Sequence, residues 1–269
     1  MAVNKYRFLQ AVLALIFVIS AGILAYQMVY LPMKNREAVE RLKEDFPEGE
    51  LPPGGSSSHG NSSPSGKEKG IPTVDLAAIR EKYPDVQGWL AIPGTNIDYP
   101  VLQSGETNPE YYLKRDYKGE WNANGSLFLQ WNCKVSESKN LVVYGHNMNS
   151  GAMFGNLDDF ANAEYCREHA KIFFQMAEGV TEYRIVAFMK ADVRMFPFQQ
   201  AEFSCMEGLR DYLVQAKALS MFKMEENDSD LFENGRTAEP DQVLTLVTCS
   251  YEWKNARNII VAVREGVVE

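Results

Sequence analysis

The sequence is poor in histidine and cysteine, the residues that most often bind zinc or carry acid–base and nucleophilic chemistry. Its 269 residues include 3 histidines and 4 cysteines. No two histidines stand at a metal-ligand spacing, and no C-x-x-C motif occurs. The sequence therefore predicts no metal site and no cofactor. These residues are His59, His146, His169, Cys133, Cys166, Cys205 and Cys249.

The sequence has no excess of positive charge, since 36 acidic residues outnumber 27 basic ones and the formal net charge is -9 at pH 7. Nucleic-acid binding needs clustered cations that neutralise phosphates, so this balance excludes nucleic acid as an expected partner. The acidic stretch 225–235 lacks the glycine that a calcium-binding EF-hand loop requires at its turn. We interpret that stretch as a solvated loop.

Residues 8–31 form an uncharged apolar run near the N-terminus. About twenty apolar residues allow a helix to cross a bilayer, so we predict a transmembrane anchor. The alternative is a cleaved secretory signal, which usually has a shorter apolar run and a clean A-x-A site. Basic residues both precede and follow the run, so their count does not set its orientation. We place residues 1–7 in the cytoplasm because a short basic N-terminus before a single span, with a large domain after it, usually stays there. The chain would then be a single-pass protein of the cell membrane with its C-terminal domain outside.

Residues 32–72 are predicted to link this anchor to a folded domain at 73–269. The part from 34 to 46 is highly charged and compatible with a helix, and we interpret it as a stalk. The part from 47 to 70 is rich in proline, glycine and serine, which cannot bury a core, so it is predicted to be a flexible tether. His59 lies in the tether and is predicted to be inert.

The folded domain is predicted to consist mostly of strands, because short apolar runs bounded by turn residues recur along it. A regular alternation of strand and helix is absent, which favours a mainly β fold with a closed or nearly closed barrel. The predicted strands are a pair within 88–103 and single strands at 125–130, 140–146, 182–191, 243–249 and 257–265. The predicted helices lie at 74–83, 162–170 and 202–219.

Cys249 ends the predicted strand 243–249 and precedes a polar loop. The strand alone leaves three interpretations open: a buried wall residue, half of a disulfide, or a nucleophile. Arg257 begins the next predicted strand, so antiparallel pairing would bring it beside Cys249. A guanidinium keeps its charge and favours a nearby thiolate or developing oxyanion. The alternative is an ordinary surface arginine at the start of a strand.

His146 also stands where a predicted strand runs into a polar loop. A cysteine nucleophile needs a partner that titrates near neutrality, and histidine is the usual one. His169 is the competing candidate, but it lies in a charged helical stretch and is predicted to be a solvated or capping residue. His146 is therefore the candidate acid and base.

The ordered set of motifs resembles class B sortases. The set comprises a histidine in YGHNM (144–148), then TLVTC (245–249), then Arg257. The segments at 88–103 and 107–117, GSLFLQ (125–130) and MFGNL (153–157) are similar to segments of that family as well. The resemblance covers about residues 73–269.

The resemblance implies an eight-stranded sortase β-barrel with an N-terminal helix and a long helix before the catalytic strand pair. It also implies a cysteine transpeptidase with Cys249 as nucleophile, His146 as acid and base, and Arg257 as oxyanion or substrate clamp. Its partners would be surface proteins with a C-terminal sorting motif, cleaved after threonine, and an amine of a peptidoglycan precursor or a pilin lysine. Substrate contacts are expected at Asn108, Leu113, Tyr144 and Val247.

Three positions depart from the family pattern. Class B members often have serine at the position of Val247 and aspartate at the position of Gln130, and an acidic residue can occur at the position of Ser250. Val247 and Ser250 lie close to Cys249 in the chain, so these departures bear on peptide preference more than on reaction type. Two other functions remain as alternatives: a cell-wall cysteine peptidase and a non-catalytic surface barrel or adhesin.

Overall fold

A computed structural model describes residues 2–47, 71, 74–224, 241–250 and 252–267. Residues 48–70 of the predicted tether and the whole acidic stretch 225–235 lie outside these residues. The helices are α1 (Ala2–Ala25), a π-helical turn (Tyr26–Tyr30), α2 (Leu31–Asp45), α3 (Leu76–Lys82), α4 (Ala163–Glu168) and α5 (Met206–Leu219), with 3-10 turns at Tyr111–Lys114 and Gly155–Ala161.

Eight strands form a closed barrel, in the order β1-β2-β3-β4-β7-β8-β6-β5. Most neighbours are antiparallel, but β2 pairs with β3 and β4 pairs with β7 in parallel. The predicted eight-stranded barrel is confirmed. The strands are β1 (Val86–Ala91), β2 (Asp98–Gln103), β3 (Leu127–Leu129), β4 (Asn140–Tyr144), β5 (Lys171–Met176), β6 (Gly179–Ala191), β7 (Val243–Cys249) and β8 (Arg257–Val267).

Strand β5 has no counterpart among the strands predicted from the residues. Its centre, Ile172 to Phe174, is buried without interruption, so both faces of the strand are covered, while β1 and β6 pair with its two edges. A strand buried on both faces has no alternation of polar and apolar residues, so a short one gives no period-two signal.

Helix α5 precedes the β7–β8 pair, as predicted, but it begins at Met206 and not at residue 202. Cys205 has an extended backbone and caps the helix without a side-chain hydrogen bond. Ala201 accepts a hydrogen bond from the backbone of Asn140, and Glu202 accepts one from Ser138. These bonds hold the preceding segment against the start of β4, where it cannot join the helix.

The N-terminal region forms one unbroken helical rod from α1 through the π turn into α2. Residues 6–45 include a stretch long and apolar enough to cross a membrane, and none of that stretch is buried in the protein. Length and composition are the only grounds for that reading, because a signal sequence at the same place would have the same features.

Helix α2 packs against the barrel, although the sequence describes this segment as a charged stalk. Asn35, Val39 and Leu42 are buried on one face at helical spacing. Val39 and Leu42 join the core of the barrel, and Asn35 accepts a hydrogen bond from Asn122 over 2.9 Å. Only two apolar side chains make this face, which is why a highly charged sequence did not reveal it.

Polar contacts secure the C-terminal end of α2 as well. Lys43 forms an ion pair with Asp98, and Asp98 also accepts a hydrogen bond from the indole of Trp89 over 2.7 Å. Just beyond the helix, Pro47 forms an isolated antiparallel bridge with Val74. Helix α2 therefore packs against the barrel domain along most of its length, while the domain boundary at 73 stays a prediction.

Leu42→Ala is expected to destabilise the protein by about 2–4 kcal/mol, because it removes a buried side chain and leaves a cavity under α2. Met33→Ala is the matched control, since Met33 lies on the same helix with 66% of its surface exposed. Urea unfolding of both variants of the full chain in detergent would measure the difference. Equal stability of the two variants would show that α2 does not contribute to the core.

Candidate active site

The register of two parallel strands sets the positions of His146 and Cys249. Tyr144 on β4 lies opposite Val247 on β7. His146 follows Tyr144 by two residues and Cys249 follows Val247 by two. Both residues therefore lie at the same edge of the barrel, side by side at the ends of neighbouring parallel strands. Two hydrogen bonds extend the pairing beyond β4, from Gly145 N to Val247 O at 3.2 Å and from Thr248 Oγ1 to Gly145 O at 2.8 Å.

Gly145 leaves no room for a side chain at this edge. A Cβ atom there would lie 2.5 Å from Leu127 Cδ2 and 2.7 Å from Phe154 Cδ2. The close approach of these apolar groups fixes the backbone that leads into His146.

Arg257 lies directly opposite Cys249 in the antiparallel pairing of β7 and β8, as the sequence predicts. Ser250 N donates to Ala256 O over 2.9 Å, so the hydrogen-bonded pair is Ser250 with Ala256. Pairs alternate along an antiparallel ladder, so Cys249 and Arg257 form a pair without mutual hydrogen bonds. The Cα atoms of such pairs lie about 4.5 Å apart and their side chains are close.

The three residues meet in one cleft of about 450 Å³. Leu113, Phe128 and Val247 give it an apolar wall, while Glu110 and Gln130 add polar groups. The cleft is open to solvent along one side, and Cys249 is exposed within it. The arrangement places a thiol, an imidazole and a guanidinium around a space that an extended peptide could enter.

The four cysteines are all free, and they differ in what their thiols can do. Burial raises the pKa of Cys133 to about 11 and that of Cys166 to about 12. These two thiols stay protonated at neutral pH, and the thiolate is the nucleophilic form. Cys205 is exposed at the start of α5 but does not line the cleft, so Cys249 is the cysteine that combines exposure with the histidine and the arginine.

His146 is half-buried at the edge of the cleft. Desolvation by burial lowers its pKa from the ordinary 6.5, the backbone of Leu113 opposes that shift, and the charge of Lys114 adds to it. The imidazole is therefore neutral at physiological pH and ready to accept a proton. Its Nε2 atom is buried and has no hydrogen-bond partner among the described residues.

His169 lies away from the cleft, at the C-terminal cap of α4. Its Nδ1 atom is 2.9 Å from Tyr165 O, and its ring stacks on the ring of Tyr165 with centroids 4.1 Å apart. These contacts agree with the predicted capping position.

The imidazole of His146 is expected to titrate with a midpoint below 6.5. Burial disfavours the imidazolium, so the neutral form persists to a lower pH and is lost only as pH falls through the lowered pKa. The C2–H resonance of His146 would measure the midpoint in the full chain carrying Cys249→Ala, which removes the reactive thiol from the cleft. The same chain in urea is the control, and a folded midpoint at or above the unfolded one contradicts the expectation.

Three of the four predicted substrate contacts line the cleft, namely Leu113, Tyr144 and Val247. Asn108 does not belong to the described lining, although its neighbours Pro109 and Glu110 do. The backbone of Asn108 instead closes tight turns, donating to Gly105 O and accepting from Tyr111 N. The contact of Asn108 with substrate stays a prediction.

Gln130 shows why an amide can stand where the family pattern has aspartate. Its Oε1 atom accepts from the hydroxyl of Tyr144 over 2.7 Å, and its Nε2 atom donates to Gln199 O over 2.8 Å. A carboxylate could accept the first bond but could not donate the second. Burial raises the pKa of Tyr144, so its hydroxyl remains a donor. Both side chains line the cleft that also holds Cys249.

Sequence reasoning missed several residues around the site. Phe198, Gln199 and Trp131 line the cleft from loops that carry no motif. Asn147 donates from Nδ2 to the backbone oxygen of Cys249 over 2.8 Å. Its position directly after His146 is the one signal that could have identified it, because backbone contacts between distant segments leave no pattern in a single sequence.

Comparison with known proteins gives consistent matches over the barrel. A family model described as the sortase domain matches residues 90–265. Sortase B of Listeria monocytogenes is 31% identical over 190 residues, covering 69% of this chain and 72% of that protein. The structure of Clostridium perfringens sortase B aligns with a TM-score of 0.60 and 26% identity, covering 70% of this chain and 98% of that one. Sortase B from Bacillus anthracis aligns with a TM-score of 0.66 at 21% identity, covering 88% and 100%, and supports the fold.

Proposed function

Because the chain belongs to the sortase family and is a class B sortase, we propose that it is a membrane-anchored cysteine transpeptidase acting on C-terminal sorting signals. The observation that carries the proposal is the meeting of Cys249, His146 and Arg257 in one open cleft. A non-catalytic barrel has no need of that convergence. A cell-wall cysteine peptidase usually has its cysteine before its histidine in the chain and orients the histidine with a carboxylate or an amide.

The proposed reaction begins with transfer of the Cys249 proton to the imidazole of His146, which lines the same cleft. The thiolate attacks the backbone carbonyl carbon of the threonine in the sorting motif, and Arg257 donates a hydrogen bond to the substrate backbone or to the oxyanion. The tetrahedral intermediate collapses, the carbon–nitrogen bond breaks, and the leaving amine takes the proton from His146. The product of this half-reaction is a thioester on Cys249.

The second half-reaction repeats these steps with an incoming amine. The amine attacks the thioester carbon, His146 accepts its proton, and the released thiolate takes the proton back. The expected acceptor is an amine of a peptidoglycan precursor or a pilin lysine. The apolar wall of Leu113 and Val247 would contact side chains of the bound peptide, and Val247 would favour an apolar neighbour where serine would favour a polar one.

The proposed location is the outer face of the cell membrane. The apolar helix that begins near Tyr6 would span the bilayer once, with residues 1–7 in the cytoplasm and the barrel outside. Surface proteins that carry sorting motifs would then reach the cleft on the same side as the acceptor.

Incubation of the full chain in detergent with a library of fluorogenic sorting peptides, with and without an added amine, tests this proposal. Intact-mass measurement is expected to show an acyl adduct on Cys249, and the amine is expected to replace water in the product. Identical hydrolysis products with and without the amine would favour the peptidase alternative. Absence of any adduct or cleavage would support a non-catalytic barrel.

A further inference from the structure

Asp158 is an exposed residue of the 3-10 turn Gly155–Ala161, and it bonds to two asparagines that adjoin the proposed active-site residues. Its Oδ2 atom accepts a hydrogen bond from Asn147 Nδ2 over 3.0 Å, and its Oδ1 atom accepts one from Asn258 Nδ2. Asn147 follows His146, and Asn258 follows Arg257. We call Asn147, Asp158 and Asn258 the carboxylate bracket.

The bracket reaches all three segments of the site. Asn147 Nδ2 carries two hydrogens, and its bonds to Asp158 and to the backbone oxygen of Cys249 can use both. One amide therefore connects the loop of His146 to the end of β7, while the carboxylate connects the same loop to the start of β8.

Asn258 depends on this carboxylate for its orientation. It is fully buried, and its Oδ1 atom has no hydrogen-bond partner among the described residues. Rotating the amide would turn that oxygen toward the carboxylate of Asp158, where two acceptors repel. The amide is thus held with its donor toward Asp158, and the backbone of β8 beside Arg257 is held with it.

We propose that Asp158 is a positioning residue that holds Arg257 beside Cys249 and keeps the His146 loop in register with both. This assignment rests on the proposed roles of those three residues. Asp158 does not line the cleft, and Asn258 faces the opposite side of β8 from Arg257, so the bracket acts through the backbone and not on the substrate.

If Asp158 acted only through its negative charge, and not by positioning Arg257, its removal would change the alkylation rates of Cys249 in the opposite direction. Cys249 can be alkylated by anionic iodoacetate or by neutral iodoacetamide. The ratio of the iodoacetate rate to the iodoacetamide rate rises when a cation lies beside the thiolate. Loss of a negative charge alone would raise the ratio. Loss of the position of Arg257 would lower it.

The experiment uses the full chain in detergent with Cys205→Ser, which removes the other exposed thiol. Intact mass gives both alkylation rates for the parent, for Arg257→Gln as the calibration, and for Asp158→Ala and Asp158→Asn. Asp159→Ala is the matched control, because Asp159 is an exposed carboxylate on the same 3-10 turn that bonds to Asn156 and not to the bracket. Thermal unfolding identifies any variant that fails to fold.

The ratio for Asp158→Ala is expected to fall from the parental value at least halfway toward that of Arg257→Gln. Asp158→Asn is expected to lie between the parent and Asp158→Ala, and Asp159→Ala is expected to keep the parental value. In peptide cleavage, Asp158→Ala is expected to lose about 100-fold in kcat, since small misplacements of reacting groups have effects of that size, with little change in KM. A ratio for Asp158→Ala at or above that of Asp159→Ala would overturn the assignment. So would a parental ratio no higher than that of Arg257→Gln.

If Asp158→Ala does not fold, Asp158→Asn decides by the same comparison, because it keeps the shape of the side chain and loses one of the two bonds. Failure of the parent to cleave any sorting peptide would refute the proposed function. The alkylation ratios would still decide the role of Asp158, because they need no peptide.

Discussion

Cys249→Ala is expected to abolish peptide cleavage and amine transfer, a loss of roughly a million-fold in kcat if it resembles removal of other covalent nucleophiles. Cys133 and Cys166 cannot substitute for Cys249, because burial keeps their thiols protonated and out of the cleft. No thioester can form without a sulfur beside His146 and Arg257. Single-turnover assays with a cleavable sorting peptide would measure the residual rate.

Cys205→Ala is the matched control for this loss. It removes an exposed thiol outside the cleft and is expected to leave cleavage unchanged. If Cys249→Ala and the parent cleaved sorting peptides at similar rates, the covalent mechanism would be refuted. If Cys205→Ala showed the large loss, the nucleophile would have been assigned to the wrong residue.

Arg257→Lys is expected to lower kcat by about 100- to 1,000-fold, the effect of losing one donor to a developing oxyanion. Lysine keeps the positive charge but lacks the planar fork of the guanidinium. One arm of Arg257 is already used, because Nη1 donates to Ala256 O over 2.9 Å. That bond anchors the group and leaves the other arm to reach the substrate, and a single ammonium cannot do both in the same geometry.

Arg264→Lys provides the control on the same strand. Arg264 forms an ion pair with Asp241 at the far end of β8 and does not line the cleft, so its replacement is expected to leave kcat near the parental value. Initial rates over a range of peptide concentrations would separate kcat from KM for both variants. A rate for Arg257→Lys within threefold of the parent would refute the clamp role.

Local sequence predicted the part of the site that depends on local pairing. Cys249 and Arg257 are joined by one loop, so antiparallel pairing of the flanking strands was enough to bring them together. His146 is different, because it reaches Cys249 through the parallel pairing of β4 and β7, which lie far apart in the chain. The resemblance to sortases supplied that link, and the residues alone did not.

Two other features were hidden for different physical reasons. Strand β5 lacks alternation because both of its faces are buried, and α2 is charged on every side except the narrow stripe of Asn35, Val39 and Leu42. Asp158 had no signal of its own, since its hydrogen bond to Asn258 joins segments that are 100 residues apart. Contacts of this kind are determined by the closed barrel and become visible only with the fold.

Pro47 forms an isolated bridge with Val74, and Asp75 N donates to Phe46 O over 3.1 Å. These contacts fasten the C-terminal end of α2 to the segment that leads into α3. If α1 spans the membrane as proposed, the barrel is held close to the bilayer, because α2 packs against the barrel from Asn35 onward, four residues after the helix begins at Leu31. The cleft would then lie at a fixed height above the bilayer, and substrates would have to reach it there.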